Sequence, residues 1–477
     1  MELFADKPGD EGLPGPERRL AMIAVMTTTT MAVLDGTIVN VALPSIARAL
    51  KESAAATIWV ANGYLLAAAM TLVAFAALAA RVGFRRLYAS GVAVFTLASL
   101  GCALSSSLDT LTAMRVLQGV GAAATLSIGP AVYRTVFPTR LLGRILGLNA
   151  LIVAVATAVG PTLGGTLLSV LGWEWLFAIN VPLGIVALVL ALRAIPQKPV
   201  ATGEPFDIAG ASLSALAMGA LIMATDACAD LSTVKGEVLA VLYAGVAVGA
   251  GLGFVWRQKR ARQPLLPLDL FASSRFSLAA LTSLASFVGQ GIAVVCLPFL
   301  FQSAYGYSVF ASAMLFTAWP IGIVLAAPQA GKLADRYPPA VLSTAGLTLF
   351  TLGLLMLALL PEHAQAWDIC WRELLSGVGF GLFQSPNNRE MLAHVSRERS
   401  GNASGVLAVV RTFGQCFGAA LVGIILASYA RGGPVLSAAQ DAQAMRLTLW
   451  VAAVATALAI ALSISRIRQR RGGPASA

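Results

Sequence analysis

The sequence predicts an all-α polytopic membrane protein with fourteen transmembrane helices, built as two six-helix bundles with two further helices inserted between them. Three observations carry this. The 477-residue chain is 58% hydrophobic and only 12% charged, with a mean hydropathy of +0.80. That is too little charge to coat a soluble surface, so the bilayer must be the solvent. Apolar stretches of about 20 residues, the length that crosses a bilayer core as a helix, recur along the whole chain. Finally, two internal similarities relate the front of the chain to the back, at offsets that skip eight spans rather than six.

The elements follow in order. Residues 1–19, "MELFADKPGDEGLPGPERR", are charged and rich in Pro and Gly, without the apolar stretch of a signal peptide, and read as a soluble tail. Spans are expected at 20–43, 57–80, 87–105, 108–132, 145–170 and 175–193, forming an N-terminal bundle over 20–193. A linker over 194–257 carries spans 7 and 8, at 207–227 and 237–256. The C-terminal bundle, 258–466, holds spans at 276–301, 309–330, 340–360, 368–388, 403–428 and 446–465, before a basic tail at 467–477.

An even number of spans puts both termini on one side. Most of the 33 lysines and arginines lie in loops on that side, in "PERR", "RVGFRR", "RTVFPTRLLGR", "RQKRARQP", "GKLADR", "SRERS" and "RIRQRR". The positive-inside rule then makes the terminal side of this multi-pass membrane protein cytoplasmic. The net charge of +11 is accounted for by topology and calls for no nucleic acid. Five cysteines (Cys102, Cys228, Cys296, Cys370 and Cys416) are scattered through apolar segments without metal-ligand spacing and read as small buried hydrophobes.

The repeat is specific. "AALAARVG" (76–83) aligns with "GKLADRYP" (331–338), and "GRILGLNALIVAVATAVGPTLGG" (143–165) aligns with "GNASGVLAVVRTFGQCFGAALVG" (401–423). In the second pair Gly143, Gly147, Gly160 and Gly165 fall on Gly401, Gly405, Gly418 and Gly423. Small residues permit close helix packing, but packing alone does not explain a repeated spacing. Bundles related as parallel repeats place a substrate site between the halves near the midplane.

At this level the residues resemble a known family. "LDGTIVNVALPSI" (34–46), "RVLQGVGAA" (115–123), "AVGPTLGG" (158–165) and "GWEWLFAINVPLG" (172–184) are similar to signature motifs of the major facilitator superfamily, in its fourteen-helix drug:proton antiporter branch. Within that branch the chain looks most like bacterial exporters of methyl viologen and quaternary ammonium biocides. The resemblance implies that Gly160, Pro161, Gly164 and Gly165 form the antiporter motif. It also links Arg115 to proton coupling and Asp35 to cation recognition. Arg81 and Arg85, with Asp335 and Arg336 in the second copy, belong to the gating loops. Ala76 and Ala80 stand where the family carries a glycine and an acid, which puts the charge relay of the first loop in doubt.

An intramembrane carboxylate is by default a functional group, and Asp35 is the only formal charge between Leu20 and Leu43. At about 1.5 Å per helical residue, Asp35 lies roughly 22 Å up span 1. Arg115, Gln290, Arg372 and Glu373 fall in the same outer layer of spans 4, 9 and 12, the spans that the resemblance makes cavity-lining. Asp35, Arg115 and Glu373 are the expected proton-coupling and cation-binding groups. Arg372 and Glu373 are adjacent and face different sides, so one of them also suits a helix end reaching water. Tyr64, Gln290, Trp59 and Asp226 are expected at the substrate cavity. The aromatics, Trp319 among them, suit either cation–π faces or interfacial anchors, and Asp226 suits either substrate entry or a solvated helix end. Arg411, mid-depth on span 13, must find acceptors and is expected to act between the halves.

The chemistry expected is exchange. A carboxylate in a low-dielectric cavity beside an arginine can be contested by a proton and a cation, which couples two fluxes. No Walker loop, nucleophile elbow, HExxH or paired-cysteine motif is present, so neither ATP, a cofactor, a metal nor an enzyme activity is expected. The reading is a proton-coupled efflux antiporter for lipophilic cations, acting as a monomer. A carrier for uptake of a nutrient or metabolite and a non-transporting membrane scaffold are its rivals. A reporter fused to the C-terminus is expected to read as cytoplasmic; a periplasmic signal would require an odd number of spans and break the repeat.

Overall fold

The computed structural model describes residues 2–4, 10–197, 206–231, 233–261, 264–266, 268–362, 364–393, 400–430 and 437–472. Parts of the basic loops, 198–205 and 394–399, and the end of the C-terminal tail lie outside them. Among the described residues the long elements are all helical. They are α1 (Gly15–Leu50), α2 (Ala54–Thr57 and Trp59–Val82), α3 (Phe84–Ala103), α4 (Leu108–Val136), α5 (Thr139–Val170), α6 (Trp175–Ala178 and Asn180–Ala194) and α7 (Ile208–Ala227). They continue with α8 (Val234–Arg260), α9 (Ser274–Phe299), α10 (Val309–Phe316 and Ala318–Leu333), α11 (Pro339–Ala358), α12 (Ala366–Ala393), α13 (Ser400–Tyr429) and α14 (Ala438–Gly472). Thirteen of these are long and apolar enough to cross a membrane. The fourteenth, α12, is diluted by Asp368, Arg372 and Glu373 in its first turns.

The helices overrun the apolar spans because hydrogen bonding, not hydropathy, ends them. α1 starts at Gly15 with Pro16 and Glu17 in its first turn, where a missing N–H and a negative charge are both favourable. It stops at Lys51, which adopts the left-handed conformation (φ 57°) and returns its N–H to Ala47 and Arg48. Two helices are interrupted by proline. Pro182 cannot donate to the carbonyl of Ala178, nor Pro320 to that of Phe316, and α6 and α10 break there.

Glycine contacts show how the two halves repeat each other. On α5, a Cβ at Gly160 would strike Thr37 and one at Gly164 would strike Ile38, both on α1. On α13, Gly418 and Gly414 lie equally close to Val288 and Phe287 of α9. On α4, Gly119 touches the carbonyl of Tyr64 on α2, and Gly121 sits against Gly91 and Phe95 on α3. On α12, Gly377 touches the carbonyl of Trp319 on α10, and Gly379 sits against Gly346 and Phe350 on α11. Without a hydrophobic drive between helices in lipid, such backbone-to-backbone approach is what holds a bundle together.

Helices α7 and α8 pair with each other and lean on the outside of α2 and α13. Ile222 of α7 packs among Leu66, Cys416 and Ala420, and the indole N–H of Trp59 donates to Asp226 Oδ1 at 3.0 Å. At the other end of the hairpin Asp207 caps α7 through the N–H of Gly210 and accepts from Arg257 and Gln258 of α8. Burial works against its charge, but these donors outweigh it and hold the carboxyl below its usual range.

The contacts between the halves gather on the side opposite the termini, called the outer side below. There Arg48 Nη2 donates to Gln302 Oε1 at 3.3 Å, and Gln302 Nε2 donates to the carbonyl of Val41 at 2.9 Å. Thr162 of α5 meets Thr317, at the break in α10, at 2.9 Å, and Gly165 lies directly against Ala313. Towards the termini, a Cβ at Gly143, Gly147 or Gly405 would meet nothing. Gly377→Ala, which forces a Cβ against the Trp319 carbonyl, should lower thermal stability in detergent by about 1–3 kcal/mol. Gly405→Ala should be neutral in the same assay.

Candidate functional site

Asp35 lies in the middle of α1, with its side chain fully enclosed inside the N-terminal bundle. Arg115 of α4 reaches it, Nη1 to Oδ2 at 2.5 Å, and is itself only 1% exposed. Gln118, one turn along α4, closes a ring: its Oε1 accepts from Arg115 Nη1 at 2.6 Å and its Nε2 donates to Asp35 Oδ1 at 2.9 Å. Asn180 of α6 donates to the same oxygen at 3.2 Å. Ser99 of α3 accepts from Gln118 at 2.8 Å, and the carbonyl of Val60 on α2 accepts Arg115 Nε at 2.8 Å. Both oxygens of Asp35, and Nε and Nη1 of Arg115, are thereby occupied, as two charges kept out of water require.

Aromatic faces complete the enclosure. The Arg115 guanidinium lies 4.4 Å from the ring centroid of Tyr64 and 5.6 Å from that of Phe177. The Tyr64 face, expected to meet a substrate, is thus taken by the protein's own cation. One residue beyond Asp35, Gly36 borders open space: nothing lies within 4 Å of a Cβ placed there. Asp35 is walled off, but its neighbour in α1 already faces that opening.

The other expected residues sit elsewhere. Gln290 of α9 accepts from Gln415 Nε2 of α13 at 3.0 Å, tying two helices of the C-terminal half. Arg372 pairs with Asp368 one turn earlier, Nη2 to Oδ2 at 2.9 Å, and donates to the carbonyl of Met356. Glu373 is 0% exposed, and neither carboxyl oxygen has a hydrogen-bond partner meeting ordinary geometry. It lies beside Trp319, whose indole N–H is likewise unpartnered and whose ring meets Phe350 edge-on. Trp59 and Asp226 bond to each other on the outer face and do not line an interior site. Asp226 is exposed, yet it fastens the α7–α8 hairpin and is not merely solvated.

Of the gating residues, Arg81 stacks on Phe206 at 5.5 Å, and Arg85 is half-buried. Asp335 bonds to Arg389 of α12 at 2.6 Å, and Arg336 is exposed. Gly160, Pro161, Gly164 and Gly165 are buried in α5, where they bring α1 and α10 close. Arg411 is exposed on α13, on the side of the helix that also carries Gln415. Among the described residues no ion pair to its guanidinium is found.

Counting along the repeat places Arg115 and Glu373 at equivalent positions, 258 residues apart, and Tyr64 and Trp319 likewise at an offset of 255. The two halves therefore place an aromatic residue and a buried ionisable group at matching positions, although the ring of Tyr64 lies on Arg115 whereas that of Trp319 packs on Phe350. The N-terminal niche holds a cation balanced by Asp35. In the C-terminal half Glu373 has no ion pair among the described residues, and the position 255 residues after Asp35 is the neutral Gln290. The sequence reading missed Gln118, Ser99 and Asn180. Their signal was present, since each is a polar side chain inside an apolar span.

A pair that is satisfied only as a pair has asymmetric mutational costs. Arg115→Ala leaves a buried carboxylate uncompensated and should cost about 3–5 kcal/mol in unfolding experiments. Arg115→Ala combined with Asp35→Asn should recover part of that loss. Simple additivity of the two single substitutions would show that they do not interact.

Comparisons with known proteins agree with this architecture. The family model described as Major Facilitator Superfamily matches residues 25–419 and, in a second match, 279–476. The uncharacterized transporter YebQ of Escherichia coli is 44% identical over 430 residues, covering 90% of this chain and 93% of that one. The multidrug resistance protein Stp of Mycobacterium tuberculosis is 33% identical, covering 86% and 76%. The riboflavin transporter RibZ of Clostridioides difficile is 29% identical, covering 85% and 87%. Among solved structures, a bacterial homolog of the human lysosomal transporter Spinster superposes with a TM-score of 0.66 at 17% identity, over 96% of this chain and 99% of that one.

Proposed function

The chain belongs to the Major Facilitator Superfamily and is a polytopic membrane transporter, and from that premise we propose that it is a proton-coupled antiporter that exports lipophilic cations such as quaternary ammonium biocides. The observation that carries the reading is the Asp35–Arg115 pair. It is one carboxylate balanced by one guanidinium, enclosed in the membrane beside an opening at Gly36. Protonation of Asp35 would remove the counter-charge of Arg115, and an arriving cation would supply a rival to it. Either event breaks a ring that ties α1, α3, α4 and α6 together. Because α1 also carries Thr37 and Ile38 against Gly160 and Gly164, movement of α1 would pass directly to α5 and the outer seal. Proton and substrate would then be exchanged at one charge on opposite sides of the membrane. Glu373 is the second carboxyl available to carry a proton, in the half that lacks a balancing cation.

Similarity to a multidrug resistance protein supports export, and the chain carries the glycine–proline pattern of antiporters in α5. A second reading has one observation in its favour. Arg411 is an exposed cation at mid-depth with no ion pair among the described residues, and it would draw a substrate bearing a negative group, as a metabolite carrier would need.

Purified protein in proteoliposomes separates the two. Adding a quaternary ammonium compound should release protons from the wild type, Asp35→Asn should abolish the release at normal abundance, and Asp35→Glu should keep part of it. If Asp35→Asn instead transports at the wild-type rate per molecule, the pair is structural and coupling must be sought at Glu373. Uptake of an anion that depends on Arg411 would favour the second reading.

A further inference from the structure

The outer seal encloses a pocket that the transport reading does not use. About 360 Å³ in volume, it is lined on the N-terminal half by Pro44, Arg48, Glu52 and Ala55, and on the C-terminal half by Phe299, Ser303, Leu426 and Asp441. It adjoins the Arg48–Gln302 bond that joins the halves. A cavity of that size accommodates a small organic molecule.

Four charged side chains line it, two of each sign, and they differ in burial. Arg48 keeps its charge but is exposed to water, and it donates to the carbonyl of Pro44, to Ser45 and to Gln302. Lys51 and Glu52, opposite in charge and adjacent in sequence, both line the pocket and are exposed, so they offset each other. Asp441, in the first turn of α14, is different. It is only 9% exposed, it faces the pocket, and its carboxylate has no hydrogen bond or ion pair among the described residues. A carboxylate that is mostly covered and has no protein partner depends on the water that reaches it through the pocket, and a cation entering the pocket supplies the missing partner. Phe299 and Leu426, 1% exposed each, back the site with apolar surface.

We propose that this pocket is an externally reached site for small organic ammonium cations, held by Asp441 and the apolar wall, and that its occupation clasps the two halves together on the outer side. A molecule there touches both bundles at once, so it binds while the outer side is sealed and must leave before that side opens. Cation outside the membrane would then slow the cycle by holding the outer gate shut.

The test reads the pocket directly and does not depend on transport. Ser303→Cys places a thiol in its wall, in a background with the exposed Cys228 and half-buried Cys370 changed to serine. Labelling by an impermeant maleimide is followed in right-side-out vesicles carrying the full-length protein. Tetraethylammonium added outside should slow labelling about fivefold once it exceeds its dissociation constant severalfold, while sodium at the same ionic strength should not. Asp441→Asn should label at the unprotected rate with or without the probe, and Asp441→Glu should regain protection. Equal protection in Asp441→Asn, protection by sodium, or none in the parent protein would overturn the proposal. Loss of cation-driven proton release with protection intact would count against the transport reading alone.

Discussion

A carboxylate and a guanidinium buried together in a membrane must remain neutral as a pair and must have every remaining polar atom occupied. Much of the N-terminal bundle is arranged to meet that condition for Asp35 and Arg115. α3 contributes Ser99, α4 Gln118, α6 Asn180 and α2 the carbonyl of Val60. The ring fixes the relative rotation of five helices, because a turn of any one would strand a charge. Tyr64 and Phe177 then close the guanidinium from two sides. The same condition is why the proposed function rests on this pair. One proton changes the charge of the whole niche, and nothing in the enclosure can substitute for it.

The two halves are packed alike and charged differently. Glycines at matching positions bring α5 onto α1 and α13 onto α9, and bring α4 and α12 against their neighbours in the same way. Backbone approach of this kind tolerates no side chain, so the packing repeats with the glycines. Charge does not follow the repeat. Where α4 has Arg115 under Tyr64, α12 has Glu373, whose carboxyl oxygens have no hydrogen-bond partner among the described residues. The symmetry supplies a second buried ionisable position, and the residue there carries the opposite charge type.

The outer seal joins the halves through few polar bonds and close glycine contacts. Thr162 meets Thr317 at the point where Pro320 has already broken α10. A seal made at an existing break can part without unwinding an intact helix. α5 is the common element, since Gly160 and Gly164 face α1 and Gly165 faces α10. That places the glycine–proline segment between the ionisable niche and the gate.

The sequence alone determined the membrane class, the fourteen helices, the repeat that skips α7 and α8, and the presence of Asp35 and Arg115 at one depth inside apolar spans. Each of these is a matter of composition, length or spacing, which are local and additive along a chain. Which side chains meet was decided only by tertiary structure, because depth along a helix does not specify rotation about it. Asp35, Arg115, Gln290, Arg372 and Glu373 share a layer by counting residues, yet only Asp35 and Arg115 touch. Gln290 turns to Gln415, Arg372 turns back to Asp368, and Glu373 faces Trp319. Tyr64 was legible as an aromatic at the right level, but its face is occupied by Arg115, a pairing fixed by how closely Gly119 lets α4 approach α2. The outer pocket was illegible altogether. Arg48 and Asp441 are 393 residues apart in the chain, and only the closure of one half upon the other makes them walls of the same space.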